Sequence, residues 1–340
     1  MERRMRAVVF DLGGTHLRCA TVDEAGRLCG LEKRRITSFI HGVQPQAIWQ
    51  QIVSAIAGYE SAVKSQLSSE APLVISFPGP IAPPARIVSA PTVVGDDAAI
   101  PDLVAEIAAL TRRRTYILND ISAAAWHVSR LVDFNRFMVI TISSGIGSKV
   151  FDRHHPRGVL DEVVYAGEIG HAKVEHAADV PRCDCGGVGH LGGIASGRGI
   201  ERYARLVAAR DEKRFSASVC AQRFGASADT LNNEHHLVPA ATLGDAWALD
   251  VISQCTRPLA RALVSTALAV GLEKVIIIGG FALQLGSVYL DVLRPLLKSE
   301  CDYPVLKDRA AELVMLGSAH EEACLEGAAV YALRRRAASV

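Results

Sequence analysis

The most distinctive chemistry in the sequence lies in a glycine-rich stretch that combines two cysteines with two histidines. Glu168-Ile169-Gly170-His171 is followed by Cys183-Asp184-Cys185 and then by His190. The Glu-x-x-His pair alone predicts little, but thiolate and imidazole together are the ligands of structural zinc, which is bound in closed four-coordinate sites. The pattern therefore favours a zinc site. A reduced thiol pair without a role and a strained redox pair remain as alternatives.

Three glycine turns follow apolar runs and could hold phosphate groups. They are Asp11-Leu12-Gly13-Gly14-Thr15, Ser144-Gly145-Ile146-Gly147-Ser148 and Gly279-Gly280. Glycines let backbone N–H groups approach phosphate oxygens, and a carboxylate such as Asp11 can hold Mg²⁺ through water. Each turn alone could be an ordinary tight turn, but three in this order favour a phosphate site. Neither a Walker loop nor a dinucleotide fingerprint occurs at these turns.

Asn119-Asp120 stands where an apolar run ends and an alanine-rich segment begins. A carboxylate in this position is most often a helix cap, because it satisfies free N–H groups. The functional alternative makes Asp120 a general base that takes a proton from an attacking hydroxyl within hydrogen-bond reach. The residues alone leave both interpretations open.

The elements that position these residues alternate between strand and helix. Hydrophobic spacing predicts strands at residues 7–11, 17–22, 72–77, 115–118, 136–142 and 274–278. It predicts helices at residues 47–64, 103–110, 121–131 and 322–335, with one long helix or a broken pair at 240–270. Residues 167–199 are predicted to be irregular. The alternation predicts an α/β architecture with largely buried strands.

Composition excludes several classes of protein. The 340 residues carry 37 Lys+Arg against 36 Asp+Glu, so the net charge of +1 offers no basic face and no nucleic-acid partner is expected. No apolar stretch is long enough to span a bilayer, so no membrane partner is expected. The basic start at residues 2–6 precedes an apolar run too short for a signal peptide, which predicts a cytoplasmic protein. Eight cysteines are too sparse for a disulfide scaffold.

Taken in order, these motifs resemble the ROK family of sugar kinases and repressors, within the actin-like ATPase superfamily. The similarity runs from Val8 to about Leu333, and the block 168–197 is its most specific part. It implies a two-lobed actin-like ATPase (ribonuclease H-like) fold with a central cleft. The smaller α/β domain would be residues 1–119 plus 321–340, and the larger would be 120–320 with a zinc-binding block at 167–199. It also implies a homodimer.

The resemblance assigns a role to each motif. ATP and Mg²⁺ would be bound by Asp11, Gly13, Gly14, Thr15, Ser144, Gly145, Gly147, Gly279 and Gly280. Asp120 would be the catalytic base. The substrate, a small sugar or cyclitol, would be bound by Gly79, Asn119, Asp120, Glu168 and His171. A structural Zn²⁺ would be held by His171, Cys183, Cys185 and His190.

Three positions depart from the family pattern. His190 replaces the third cysteine and is still a competent zinc ligand. Gly192 stands where the family commonly has a glutamate near the anomeric hydroxyl of the sugar, and the segment 91–96 replaces a common Pro-Asn-Leu-Pro-Gly-Trp motif. The absence of this acid indicates that the substrate hydroxyl it would bind is absent, lies elsewhere or is bound by another group. We therefore expect a modified sugar, an amino sugar or a C7-cyclitol to be preferred over plain glucose.

Two other functions compete with that interpretation. One is an ordinary glucokinase, with Glu168, His171 or a water molecule covering the missing contact. The other is a non-catalytic sugar-sensing protein. A repressor of this family carries a helix-turn-helix domain before the first phosphate motif, whereas only six residues precede Ala7 here. We therefore expect an ATP-dependent kinase that phosphorylates a primary hydroxyl of a hexose-like substrate.

Overall fold

The structure is a computed structural model that describes residues 4–37, 39–95, 99–175, 181–318 and 320–337. Asp96, which ends the segment 91–96, lies outside the described residues, as does part of the block 167–199. Strands and helices alternate along most of the chain, which agrees with the predicted α/β class. No helix in the part of the chain that the structure describes combines the length and apolar character needed to cross a membrane.

The strands are, in chain order, β1 (Ala7–Leu12), β2 (His16–Val22), β3 (Leu28–Arg35), β4 (Leu73–Phe77), β5 (Ile81–Ala82), β6 (Arg86–Ile87), β7 (Thr115–Asn119), β8 (Arg136–Ile142), β9 (Ile146–Asp152), β10 (Lys274–Ile278) and β11 (Val314–Leu316). The helices are α1 (Pro45–Val63), α2 (Pro91–Val94), α3 (Leu103–Thr111), α4 (Asp120–Val128), α5 (Leu191–Ala195), α6 (Gly197–Arg210), α7 (Glu212–Ser216), α8 (Val219–Gln222), α9 (Val238–Thr242), α10 (Ala246–Val270), α11 (Gly280–Leu285), α12 (Ser287–Ser299), α13 (Pro304–Lys307) and α14 (Ala323–Ala337). Single turns of 3-10 helix include Phe39–His41, Lys64–Gln66, Ile169–His171 and Ala310–Leu313, and Asn233–Leu237 is a π-helix.

The chain divides into two compact units. Unit 1 comprises the described residues of Met1–Asp133, Arg157–Ala166 and His320–Val340. Unit 2 comprises those of Phe134–Pro156 and Gly167–Ala319. The boundary predicted at residue 119/120 therefore differs from the observed one. The reason is that α4 packs closely against α14, which keeps residues 120–133 with the C-terminal helix.

Unit 1 is built on a five-stranded sheet in the order β3-β2-β1-β4-β7. β1 and β2 form the predicted antiparallel hairpin, whereas β1, β4 and β7 are parallel. Every residue of β1 and β4 is buried, as expected for central strands covered on both faces. The carboxyl ends of the three parallel strands lie at one edge of the sheet, which brings their last residues together.

Unit 2 is built on a four-stranded sheet in the order β11-β10-β8-β9. β8 and β9 are antiparallel, while β8, β10 and β11 are parallel. Residues 240–270 form the broken pair, because Gly244 with φ of 81° ends α9 and the Asp245 carboxylate caps α10 by accepting from Trp247 N. The end of the block 167–199 is helical rather than irregular, since α5 and the start of α6 occupy residues 191–199.

Candidate active site

The carboxylate of Asp11 lies at the carboxyl edge of the unit 1 sheet and is 7% exposed. Ser76 Oγ donates to Asp11 Oδ1 at 2.8 Å, and Arg18 Nη1 donates to Asp11 Oδ2 at 3.3 Å. Burial raises the pKa of Asp11, and the Ser76 hydrogen bond and the Arg18 charge oppose that shift. Both carboxylate oxygens therefore have partners that fix the side chain beside the predicted glycine turn.

The first glycine turn joins β1 to β2 as a tight connection. Gly13 N donates to His16 O at 2.8 Å, and the Thr15 hydroxyl lies 2.8 Å from His16 Nδ1. Gly13 and Gly14 present no side chain at this edge, which leaves backbone open beside Asp11. The turn is thus the tight, glycine-rich connection predicted between these two strands.

Asn119 and Asp120 lie at the end of β7, where α4 begins. Asn119 Oδ1 accepts from Ile121 N at 2.9 Å and from Ser122 N at 3.3 Å, so Asn119 is the residue that caps the helix. Asp120 is the first residue of the helix, and its Oδ1 accepts from Ile121 N at 2.8 Å. Because Asn119 already supplies the cap, capping alone does not account for an acid at position 120.

Further contacts bring other predicted residues of unit 1 to the same edge. Asn119 Nδ2 donates to Gly79 O at 3.0 Å, which joins the loop after β4 to the end of β7. Cys324 Sγ, on α14, lies 3.5 Å from Asp120 O. Burial raises the pKa of Cys324 well above its usual value, and the charges of Asp11 and Asp120 add to the shift. The Cys324 thiol thus lies close enough to both carboxylates for their charges to raise its pKa.

The second and third glycine turns meet in unit 2. Ser144 and Gly145 turn the chain from β8 to β9, and Ser143 N donates to Gly145 O at 3.0 Å. Gly279 follows β10 with φ of 100°, and a Cβ there would lie 2.6 Å from Ile142 N. Only glycine fits this close parallel packing of β8 and β10. Gly147 lies within β9, paired with Thr141.

A pocket of about 470 Å³ lies in unit 2 beside these turns. Predicted residues Ser144 and Gly280 line it, so the structure brings two of the three turns to one cavity. The other lining residues are Ser143, Gly197, Arg198, Glu201, Asn232, Asn233, Glu234, His235, Phe281 and Gln284. Sequence reasoning missed that group. Ser-Gly-Arg-Gly at 196–199 was an available signal, whereas the π-helix at residues 233–237 offers no recognisable pattern.

The four predicted zinc ligands come together in unit 2. One ligand atom from each of His171, Cys183, Cys185 and His190 lies within 4.8 Å of all the others. Cys185 Sγ is 3.2 Å from His190 Nδ1, and the two histidine rings are T-shaped with centroids 5.8 Å apart. Two sulfur and two imidazole donors at this spacing fit a tetrahedral zinc ion, which prefers these donors.

Glu168 and Gly192 lie next to this cluster. Glu168 Oε2 is 3.9 Å from His171 Nε2, at the start of a 3-10 turn. A Cβ on Gly170 would overlap the Ile146 carbonyl oxygen, so this turn packs directly on β9. Gly192 lines a smaller cavity of about 140 Å³ that also contains His171, Ser144 and both zinc-site cysteines. Position 192, where the family commonly has an acid, therefore lines the same cavity as His171, a predicted sugar ligand.

Comparison with known proteins identifies the family. The sequence profile of the ROK family matches residues 7–335. The chain belongs to the ROK family. It is 34% identical over 329 residues to a C(7)-cyclitol 7-kinase of Streptomyces hygroscopicus subsp. jinggangensis (strain 5008), covering 94% of this chain and 92% of that protein. The resemblance inferred from the motifs is thereby confirmed.

Two solved structures have the same fold. A ROK hexokinase from Thermus thermophilus aligns with a TM-score of 0.72 at 22% identity, covering 98% of this chain and 99% of that one. A ROK glucokinase from Streptomyces griseus, solved with glucose and AMPPNP, aligns with a TM-score of 0.66 at 24% identity, covering 95% and 97%. The fold is the two-domain actin-like ATPase fold. This member of the ROK family is an enzyme, a phosphotransferase with an alcohol group as acceptor.

Proposed function

We propose that this ROK protein is an ATP-dependent kinase that phosphorylates a primary hydroxyl of a C7-cyclitol or modified sugar in preference to plain glucose. The observation that carries the proposal is Gly192, because it occupies the cavity of His171 where sugar kinases of the family commonly have an acid. The 34% identity to a C(7)-cyclitol 7-kinase over nearly the whole chain supports the same substrate class.

The physical argument concerns one hydrogen bond. An acid near the anomeric hydroxyl anchors an aldose, and its loss costs about 0.5–1.5 kcal/mol for a neutral bond and somewhat more for a charged one. A carbocyclic cyclitol has no anomeric hydroxyl and loses nothing. Gly192 therefore weakens the binding of glucose selectively and leaves the binding of a cyclitol unaffected.

In the proposed reaction, Asp120 accepts the proton of the attacking hydroxyl, with Asn119 and Gly79 holding the substrate beside it. Asn119 also caps α4, so the residue that contacts substrate is the one that fixes the start of the helix carrying Asp120. The phosphate-binding residues of unit 1 are Gly13, Gly14 and Thr15. The ATP-binding residues of unit 2 are Ser144, Gly145, Gly147, Gly279 and Gly280. Positioning and electrostatic stabilisation supply most of the acceleration.

Asp11 would hold Mg²⁺. Both of its oxygens already accept hydrogen bonds, from Ser76 and Arg18, which fits a carboxylate that contacts the ion through water. When bound, Mg²⁺ neutralises charge on the phosphate oxygens. Ser76 and Arg18 keep the carboxylate oriented and oppose the rise in its pKa that burial causes.

The deciding experiment compares kcat/KM with ATP for three classes of acceptor: C7-cyclitols such as 2-epi-5-epi-valiolone, amino sugars such as N-acetylmannosamine, and glucose. We expect kcat/KM for a cyclitol or modified sugar to exceed that for glucose by about threefold to tenfold, the effect of one hydrogen bond. Glucose as the best acceptor would make the protein an ordinary glucokinase. Binding of sugar without any ADP release would instead indicate a non-catalytic sensor.

The same proposal includes one structural Zn²⁺ per chain, bound by His171, Cys183, Cys185 and His190. Its role would be to fix the turn that carries Glu168. Elemental analysis of untagged protein purified without added metal should give at least one zinc per chain, and Cys185→Ser should lower the zinc content by about one per chain. Cys29→Ser, which changes a cysteine of unit 1, is the control and should keep the metal. Full zinc content in Cys185→Ser would contradict the ligand set.

We also propose that the chain forms a homodimer, as the family resemblance implies. Sedimentation equilibrium of the untagged protein measures this directly. A mass equal to one chain at micromolar concentration would overturn it.

A further inference from the structure

A second group of metal-ligating side chains lies in unit 1 and uses none of the residues assigned to substrate, nucleotide or zinc. His127 is on α4, His320 precedes α14, and Glu326 is in the first turn of α14. One ligand atom from each of the three lies within 4.8 Å of the other two. This group therefore has no part in the proposed kinase activity.

The distances within this group are close to those of a metal centre. His127 Nδ1 is 2.9 Å from Glu326 Oε2, and His320 Nε2 is 3.4 Å from Glu326 Oε1. The two imidazole rings are T-shaped with centroids 5.1 Å apart. Ligand atoms placed tetrahedrally at about 2.0–2.1 Å from a zinc ion are about 3.3 Å from one another. The three side chains could therefore meet one ion with small rotations.

Backbone packing fixes where the three ligands stand. A Cβ on Gly327 would overlap the Ala123 carbonyl oxygen and lie 3.1 Å from His127 N, so α4 and α14 touch beside Glu326. Ala323 N donates to His320 O at 3.2 Å, which ties His320 to the start of the same helix. The ligand group is thus held by main-chain contacts rather than by flexible loops.

An ordinary structural role for His127 accounts for this arrangement less well. The side chain is buried, and its Nε2 has no hydrogen-bond partner among the residues that the structure describes. Buried polar atoms are nearly always paired. The hydrogen bond to Glu326 thus satisfies Nδ1 of a buried ring and leaves Nε2 without a partner among the described residues, so His127 is not a fully paired core histidine.

We propose that His127, His320 and Glu326 bind a divalent transition-metal ion of the Zn²⁺ class, at a site separate from the Cys/His cluster. Two imidazoles and one carboxylate suit Zn²⁺ and its analogues Co²⁺ and Ni²⁺, and three protein ligands leave coordination positions for water. The ion would fasten the start of α14 to α4, the helix whose first residue is Asp120.

The test is a Co²⁺ titration of the full, untagged chain, with bound metal measured after equilibrium dialysis. His320→Ala and Glu326→Gln change side chains that are each 41% exposed, so both variants are expected to fold. His154→Ala removes an exposed histidine of unit 2 and is the matched control. We expect wild type and the control to bind one Co²⁺ at His127, His320 and Glu326. Both site variants should bind this ion at least tenfold more weakly.

A spectrum of the wild-type protein alone separates the two sites. Co²⁺ bound by His127, His320 and Glu326 should give visible d–d bands without the thiolate charge-transfer band that cysteine ligands produce. Equal Co²⁺ uptake by wild type and both site variants would overturn the proposal. So would a thiolate band whose intensity accounts for all of the bound Co²⁺, because no metal would then be bound outside the cysteine cluster.

Discussion

At the scale of single residues, the two acids at the carboxyl ends of parallel strands have different surroundings. Asp11 is nearly buried and both of its oxygens have side-chain partners, whereas Asp120 is half-buried at the first position of a helix that Asn119 already caps. These surroundings suit different tasks. A carboxylate held between Ser76 and Arg18 is fixed in orientation, while one at a helix start is placed to meet an incoming hydroxyl.

Asp120→Asn should lower kcat by about 10²–10⁴ with little change in KM, because it removes the proton acceptor and keeps the side-chain shape. Steady-state kinetics with the best acceptor measure this. Asp102→Asn is the matched control: Asp102 Oδ1 caps α3 by accepting from Ala105 N at 2.9 Å, and asparagine caps equally well. Near-normal turnover of Asp120→Asn would leave Asp120 without a catalytic role.

Gly192→Glu should raise kcat/KM for glucose relative to a cyclitol, by about threefold to tenfold, because it restores one hydrogen bond to the anomeric hydroxyl. A Cβ there would lie 3.1 Å from Gly170 O, so a small local shift is needed. Gly192→Ala introduces the same Cβ without the acid and is the control. An identical substrate ratio in Gly192→Glu and Gly192→Ala would show that the missing acid does not set specificity.

At the scale of elements, charged contacts between helices stabilise unit 2. Glu300 follows α12 and accepts from Arg257 Nη1 at 2.9 Å and Arg261 Nε at 3.0 Å, both on α10. Burial opposes ionisation of Glu300, but the hydrogen bonds and charges of the two arginines outweigh it and lower the pKa of this carboxyl. The pair of helices is therefore joined by one carboxylate that stays ionised in mild acid.

Glu300→Gln should lower the melting temperature at pH 7 by about 2 °C, equivalent to about 0.5–1 kcal/mol. Because the pKa of Glu300 is lowered by folding, its contribution is present above the unfolded value of about 4.3 and is lost as pH falls through the folded value. The difference from wild type should therefore vanish in strong acid. Calorimetry across pH tests this, with Glu312→Gln, an exposed acid 3.9 Å from Arg309, as control. A difference that does not depend on pH would contradict the assignment.

At the scale of the whole molecule, the sequence predicted what depends on short-range pattern and missed what depends on distant packing. The glycine turns, the strands that precede them and the Cys/His cluster were predictable because each is encoded in a short run of residues. The boundary between the units was not predictable. It depends on close packing of α14 against α4 at Gly327, a contact between residues far apart in sequence. Asn232–His235, which line the pocket beside Ser144 and Gly280, were missed for the same reason.

Nucleotide binding should change amide hydrogen exchange in a defined part of unit 2. The pocket of about 470 Å³ is lined by segments 143–144, 197–201, 232–235 and 280–284, drawn from distant parts of unit 2. If ATP binds there, AMPPNP with Mg²⁺ should slow amide hydrogen exchange in these four segments together, since binding opposes local opening. Mass spectrometry after proteolysis measures this in the full chain.

The segments that contain Leu268 and Tyr303–Val305 are the internal control for that experiment. These residues line a second cavity of unit 2, also of about 470 Å³, which contains none of the predicted phosphate turns. Its exchange should be unchanged, because no residue assigned to ATP lies there. The contrary result would be slower exchange at this second cavity with unchanged exchange at residues 143–144 and 280–284. It would show that nucleotide binds away from the glycine turns and would refute the assignment of Ser144 and Gly280.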